Sequence, residues 1–135
     1  MDIDLIVRDL IKTYETQDPY KLCKYLDIHV RFSKLGKIKG IYKKIRNHKF
    51  IAVNEDLLKF EKVVVLSHEL GHAIVHDYND VIMMKTTFVL PKHGKFEREA
   101  NIFAANLLIS DDYIGRFEPE DEDDQDLYDE LLNYI

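Results

Sequence analysis

The sequence has no tryptophan, one cysteine, three prolines and five glycines in 135 residues. No run of about 18 apolar residues occurs, so no transmembrane helix is expected. The first residues lack the basic segment and the continuous apolar stretch of a secretory signal peptide. Cys23 has no second cysteine with which to form an internal disulfide, which is typical of a reducing compartment. We therefore expect a cytoplasmic protein without disulfides and without contact with a membrane.

Charge is distributed unevenly along the chain. The net charge is -6, which disfavours nonspecific binding to nucleic acid. Eight lysines or arginines and no acid lie between residues 31 and 49, whereas eleven acids and one arginine lie between residues 111 and 130. We expect residues 111–135 to form a partly disordered acidic tail with a short helix at Leu127 to Ile135. A sharper hypothesis is that this tail docks on the basic region and gates the site.

The remaining residues, 1–110, fit one α+β domain. Helices are predicted at residues 3–14 and from Pro19 to near Asp27, the second capped by Asp18. Strands at 28–32, 40–45 and 50–53 are expected to form a small antiparallel three-stranded sheet. A helix at 60–77, capped by Asn54 or Asp56, and another at 96–108 follow, and a short strand at 85–90 lies between them.

The predicted helix at 60–77 contains His68-Glu69-Leu70-Gly71-His72, an H-E-x-x-H motif. Histidines four residues apart share one helix face, so both imidazoles can bind one metal ion while the glutamate acts as a general base. The flanking residues are apolar, so the helix is expected to be buried. Gly71 inside it indicates a close approach by another element. On the motif alone, a buried helix whose histidines make ordinary hydrogen bonds remains the alternative.

A catalytic zinc site needs a third protein ligand. His76 lies about 12 Å from His68 along a straight helix, which is too far to share one ion. The helix at 96–108 offers Glu97 and Glu99 on opposite edges of its apolar stripe, and we favour Glu97. Asn101 is expected to hydrogen-bond a metal-binding histidine.

The motif His68 to His72 with Ala73-Ile-Val-His76, and the segment from Glu97 through Ala100-Asn101 to Leu107-Leu108, resemble the ImmA/IrrE family of zinc metallopeptidases. The resemblance covers roughly residues 18 to 110. It implies a gluzincin-like domain, with His68, His72 and Glu97 as zinc ligands and Glu69 as the general base. It also implies a specific cut in a protein partner, a helix-turn-helix transcriptional repressor of a phage or mobile element.

Several alternatives stay open. The chain could be an antirepressor that keeps a zinc site but sequesters its partner without cutting it, or a zinc hydrolase for a small non-peptide substrate. An additional group that stabilises the oxyanion is expected, and four residues are candidates: Tyr42, His76, Tyr78 and His93. The substrate is expected to lie extended along a sheet edge near the site.

Overall fold

The computed structural model describes residues 2–109 and 120–135. The helices are α1 (Ile3–Tyr14), α2 (Pro19–Tyr25), α3 (Lys59–Val75), α4 (Lys95–Leu108) and α5 (Glu122–Leu132). The strands are β1 (Ile28–Ser33), β2 (Gly40–Ile45), β3 (His48–Asn54) and β4 (Val81–Thr86). Within the described ranges, no helix combines the length and the apolar character needed to cross a bilayer.

The first two helices begin where their capping residues predict. The side chain of Asp2 accepts a hydrogen bond from the Leu5 amide, and that of Asp18 accepts one from the Tyr20 amide at 2.9 Å. Pro19 occupies the first turn, where its missing N–H is not needed. Both predicted helices are therefore confirmed.

The sheet differs from the prediction. It has four strands in the order β1-β3-β2-β4, and β1 runs parallel to β3 while the other two pairs are antiparallel. The prediction of a three-stranded antiparallel sheet was therefore wrong. Alternation of apolar residues shows which face of a strand is buried but not which strand lies beside it. The fourth strand lies at Val81–Thr86 instead of the predicted 85–90. Residues 87–90, which precede Pro91, are not part of the sheet.

The start of α3 also differs from the prediction. The helix begins at Lys59, where the carboxylate of Glu61 accepts a hydrogen bond from the Leu58 amide at 2.9 Å. Asn54 does not cap it. Its side-chain amide instead donates to the carbonyls of Gly36 and Ile38, which fixes the loop before β2.

One face of the sheet packs on α3, and this packing forms the core. Tyr42, Ile51 and Val53 are buried on the inner face of the sheet, where they share one cluster with Leu70 of α3 and Phe103 of α4. Helices α3 and α4 pack against each other beyond the sheet. The H-E-x-x-H motif thus lies between the sheet and a second helix.

Helix α5 brings the acidic end of the chain back to this core. Leu127 and Leu131 are buried in a second cluster that includes Phe60 and Val64 of α3 and Leu108 of α4. The structure has a terminal helix at Glu122–Leu132, which begins and ends earlier than the predicted helix at Leu127 to Ile135. Its buried leucines contact α3 and α4 rather than the basic strands. The predicted disorder in the preceding segment falls largely on residues 110–119, outside the described residues.

Candidate metal centre

Three side chains from α3 and α4 meet at a buried point. The Nε2 atoms of His68 and His72 are 3.1 Å apart. Glu97 Oε1 lies 2.7 Å from His72 Nε2 and 3.6 Å from His68 Nε2. Both imidazoles are fully buried, and the Glu97 side chain is 26% exposed. The i, i+4 spacing on α3 and the first turn of α4 together bring these atoms within reach of one ion.

Gly71 lets α4 come this close to α3. A Cβ atom at this position would lie 3.0 Å from Phe103 Cβ and 3.2 Å from Ala100 Cα. The expectation that Gly71 indicates a close approach by another element is therefore confirmed. This contact holds the first turn of α4, which carries Glu97, over the two histidines.

Asn101 orients His68. Its side-chain Nδ2 donates to the Pro91 carbonyl at 2.7 Å, so its Oδ1 faces His68 Nδ1, also at 2.7 Å. Because an amide oxygen can only accept, the proton of His68 is on Nδ1 and the lone pair on Nε2 points to the centre. The predicted bond between Asn101 and a motif histidine is confirmed.

His72 is oriented by a chain of two further side chains. Glu99 Oε1 lies 3.1 Å from His76 Nε2, and His76 Nδ1 lies 2.8 Å from His72 Nδ1. If His76 donates to the Glu99 carboxylate through Nε2, its Nδ1 is an acceptor, and His72 donates to it through Nδ1. The lone pair of His72 Nε2 then also points to the centre. His76 contacts His72 from behind and is itself contacted by Glu99, whereas Glu97 faces the centre.

The three atoms at the centre fit a divalent metal ion. In these tautomers His68 Nε2, His72 Nε2 and Glu97 Oε1 are all acceptors, and acceptors this close repel one another unless a cation lies between them. Ligand atoms about 2.1 Å from a tetrahedral zinc lie roughly 3.4 Å from one another, and the three observed distances, 2.7, 3.1 and 3.6 Å, bracket that value. An oxygen of Glu69 also lies within 4.8 Å of the histidine nitrogens.

The electrostatics favour ligating protonation states. Burial lowers the pKa of His72, which favours the neutral imidazole. Burial acts to raise the pKa of Glu97, but the hydrogen bonds and positive charge that His68 and His72 supply in their protonated forms outweigh it and lower the pKa to about 2. Glu97 is therefore a carboxylate at neutral pH.

Glu69 lies beside this centre, between α3 and the sheet. It is fully buried, and its Oε1 accepts a hydrogen bond from the Thr86 hydroxyl of β4. Its Oε2 has no hydrogen-bond partner among the described residues. Burial raises the pKa of Glu69 to about 7, against the opposing effects of His68 and Thr86. A carboxylate with a pKa near neutrality and one free oxygen can both accept and release a proton.

Gly40 allows the sheet to approach Glu69. A Cβ atom there would lie 2.6 Å from Val65 Cγ1 and 3.1 Å from Glu69 Cγ. Gly40 pairs with Thr86 across β2 and β4. The two residues thus bring the sheet against Glu69, one by its lack of a side chain and the other by its hydroxyl.

A pocket of about 390 Å³ opens beside Glu97. Phe88, Leu90, Pro91, Lys92 and His93 form the rest of its lining.

Of the four candidates for oxyanion stabilisation, His93 is the one that lines this pocket. Tyr42 is buried under the sheet, where burial and Asp77 raise its pKa to about 12. His76 contacts Glu99, and Tyr78 is 59% exposed beside His76.

Sequence reasoning missed Thr86 and Gly40. Ile82, Met84 and Thr86 lie on the same face of β4, the face turned toward the core. The third of these inward positions is therefore polar, whereas the first two are apolar. That break in the apolar pattern was the available signal, but it was hidden because the strand was predicted at 85–90. Gly40 was recognised only as the start of a strand.

Two curated proteins are similar to this chain. "Uncharacterized immunity region protein 2" of Bacillus phage phi105 is 38% identical over 116 residues, which are 85% of this chain and 73% of that protein. "Metallopeptidase ImmA" of Bacillus subtilis (strain 168) is 29% identical over 116 residues, 84% of this chain and 66% of that protein. No solved structure matches.

A family match agrees with these two relatives. The Peptidase_M78 family, described as the IrrE N-terminal-like domain, matches residues 23–134, a range that includes both metal-centre helices and α5. The resemblance predicted from the motifs is confirmed: the chain belongs to the ImmA/IrrE family of metallopeptidases.

Proposed function

We propose that this protein is a zinc-dependent endopeptidase that makes a specific cut in a protein partner. The observation that carries the proposal is the convergence of His68 Nε2, His72 Nε2 and Glu97 Oε1 beside the free oxygen of Glu69. Two imidazoles and a carboxylate leave a fourth tetrahedral position open, as catalytic zinc sites require.

In this proposal His68, His72 and Glu97 hold the zinc ion. When bound, zinc supplies Lewis acidity, which polarises a peptide carbonyl and lowers the pKa of water at the site. Glu69 takes the proton of the attacking water through Oε2 and passes it to the leaving amine. Thr86 keeps the Glu69 carboxylate oriented by donating to Oε1. His93 is our candidate for oxyanion stabilisation, because it lines the pocket that reaches Glu97.

The substrate segment is proposed to lie along β4. This strand is at the end of the strand order and pairs only with β2 among the described strands. Every second main-chain N–H and C=O of such an edge strand points outward and can pair with an extended peptide. Because Thr86 of β4 contacts Glu69, a peptide added at this edge would run past the general base.

The substrate class rests on the family and on the names of the relatives. One relative is named an immunity region protein of a phage and the other a metallopeptidase. A phage immunity region suggests a regulator of phage genes as the target. We therefore propose a helix-turn-helix transcriptional repressor of a phage or mobile element as the protein partner.

The test uses the Glu69→Gln variant as a trap. The partner is isolated on the variant loaded with zinc, and the intact mass of the partner is then measured after incubation with the wild-type protein and zinc. Two fragments whose masses sum to the partner plus one water support the peptidase. Glu55→Gln, a change at an exposed carboxylate outside the site, should cut like the wild type. An uncut partner that stays bound would instead indicate an antirepressor that only sequesters its target.

A further inference from the structure

The face of the sheet turned away from α3 has a regular arrangement of side chains, and we name it the outer sheet face. Cross-strand partners define its two rows. The first row is His29, Phe50, Lys43 and Met83, and the second is Arg31, Ala52, Ile41 and Lys85. Their neighbours along each strand point to the core, as the alternation of strand residues requires.

The centre of the outer sheet face is apolar and exposed. Phe50 is 38% exposed and Met83 is 54% exposed. Ile45 and Val81, which pair across β2 and β4, extend the apolar surface at 40% and 68% exposure. Ala52 has the shortest side chain of the two rows and lies within a groove of about 590 Å³. Large apolar side chains around a groove indicate an interaction site more than ordinary surface does.

The cations of the outer sheet face have no partners in the described part of the chain. Arg31, Lys43 and Lys85 make no ion pair there, and no carboxylate lines the groove. The two lysines on the other side of the same strands behave differently, because Lys44 and Lys49 both bind Asp77. The protein thus neutralises the inner lysines and leaves the outer cations available.

We propose that the outer sheet face docks an acidic amphipathic helix of a protein partner. The apolar stripe of such a helix would lie over Phe50, Ala52 and Ile41. Its acidic flanks would face Arg31 and Lys85 at the two ends of the second row and Lys43 in the first row. A helix laid on the bare face of a sheet completes a common layer arrangement. The docking does not depend on the peptidase assignment, since no residue of the metal centre lies on this face.

Other occupants fit less well. A membrane surface favours a protruding apolar patch, whereas this surface is a groove. A nucleic acid would meet apolar side chains at the centre of a protein with net charge -6. Helix α5 of a second copy supplies acidic residues, but its Leu127 and Leu131 are buried in its own core and offer no apolar stripe.

The test measures binding of a fluorescent synthetic helix of about 18 residues with leucines at i, i+3, i+4 and i+7 and glutamates on both flanks. A peptide of the same composition with the leucine spacing scrambled is the control ligand. Arg31→Glu/Lys43→Glu reverses the charge of two of the three cations of the outer sheet face and leaves Lys85 unchanged. Lys12→Glu/Lys21→Glu makes the same change in charge on α1 and α2, away from the sheet. Zinc content and circular dichroism confirm that each variant is folded.

We expect the patterned peptide to bind the wild type and the Lys12/Lys21 variant equally. Its affinity should fall at least about tenfold in the Arg31/Lys43 variant and with rising salt. Absence of binding, equal binding of the scrambled peptide, or unchanged affinity in the Arg31/Lys43 variant would overturn the proposal. So would a preference of this face for phosphatidylserine vesicles or for a single-stranded oligonucleotide.

Discussion

His72 Nδ1 lies 2.8 Å from His76 Nδ1, so one side chain of the H-E-x-x-H motif is oriented by a histidine one turn further along α3. His76 in turn contacts Glu99 of α4. The two glutamates at the start of α4 therefore have different surroundings: Glu97 faces the histidine nitrogens at the centre, and Glu99 reaches His72 only through His76.

Glu99→Ala should weaken zinc binding by about 10- to 100-fold without abolishing it, because His76 would lose the acceptor that fixes its tautomer. Glu99→Gln keeps an oxygen that can accept from His76 Nε2 and should bind zinc within a few-fold of the wild type. Competition with a fluorescent zinc chelator measures both affinities. Equal weakening in the two variants would show that the charge of Glu99, rather than its hydrogen bond, matters.

Asn101→Ala should lower the free energy of unfolding by about 1–3 kcal/mol, because the Pro91 carbonyl and His68 Nδ1 would lose their partner in a buried site. Zinc affinity should fall as well. Asn106→Ala is the matched control, since among the described residues the Asn106 side chain donates only to the Ile102 carbonyl of its own helix. Urea unfolding measures the free energy of unfolding of both variants. A similar decrease in the two would contradict the role given to Asn101.

Gly71→Ala should destabilise the protein by about 1–3 kcal/mol despite the higher helix propensity of alanine. The new methyl group would lie 3.0 Å from Phe103 Cβ and would push α4 away from α3. Ser67→Ala is the control, because it changes a buried α3 residue whose hydroxyl, within residues 2–109 and 120–135, donates only to the Val63 carbonyl of the same helix. Thermal unfolding of the metal-free proteins separates packing from zinc binding. A more stable Gly71→Ala protein would rule out the close contact.

Asp77 should make stability depend on pH only in acid. Lys44 lowers the pKa of this carboxylate, partial burial opposes it, and Lys49 lowers it further. A lowered folded-state pKa contributes stability that is fully present above the unfolded value of about 3.9 and is lost as pH falls through the folded value.

The difference in stability between the wild type and Asp77→Asn should therefore be constant from neutral pH to about pH 5 and should vanish in stronger acid. The pair is partly exposed, so the difference should stay below about 1 kcal/mol. Asp80→Asn, at an exposed residue near β4, is the control variant. Urea unfolding across this pH range gives the difference in unfolding free energy between the wild type and each variant. A difference for Asp77→Asn that grows in acid would contradict the lowered pKa of Asp77.

The sequence predicted local features well. The spacing of apolar residues identified α1, the pair Asp18 and Pro19 located the start of α2, and the i, i+4 histidines identified the α3 motif. Each of these signals depends on residues within about one or two helical turns. Asn101 was also anticipated, because it lies one turn from Glu97 on the same helix edge.

Features that depend on tertiary packing were not predictable in the same way. The parallel pairing of β1 with β3 was missed, since strand alternation is the same whichever neighbour a strand has. The Thr86 bond to Glu69 joins residues 17 positions apart through β4, whose position the sequence did not fix. Only the fold shows that Glu99 contacts His76 while Glu97 contacts His72.

The most direct test of the account is the zinc content of purified protein, measured by mass spectrometry after dialysis against metal-free buffer. We predict about one zinc per chain in the wild type and in Glu69→Gln, and almost none in Glu97→Ala. Full zinc content in Glu97→Ala would contradict the proposed ligand set, and absence of zinc from the wild type would contradict the metal centre itself.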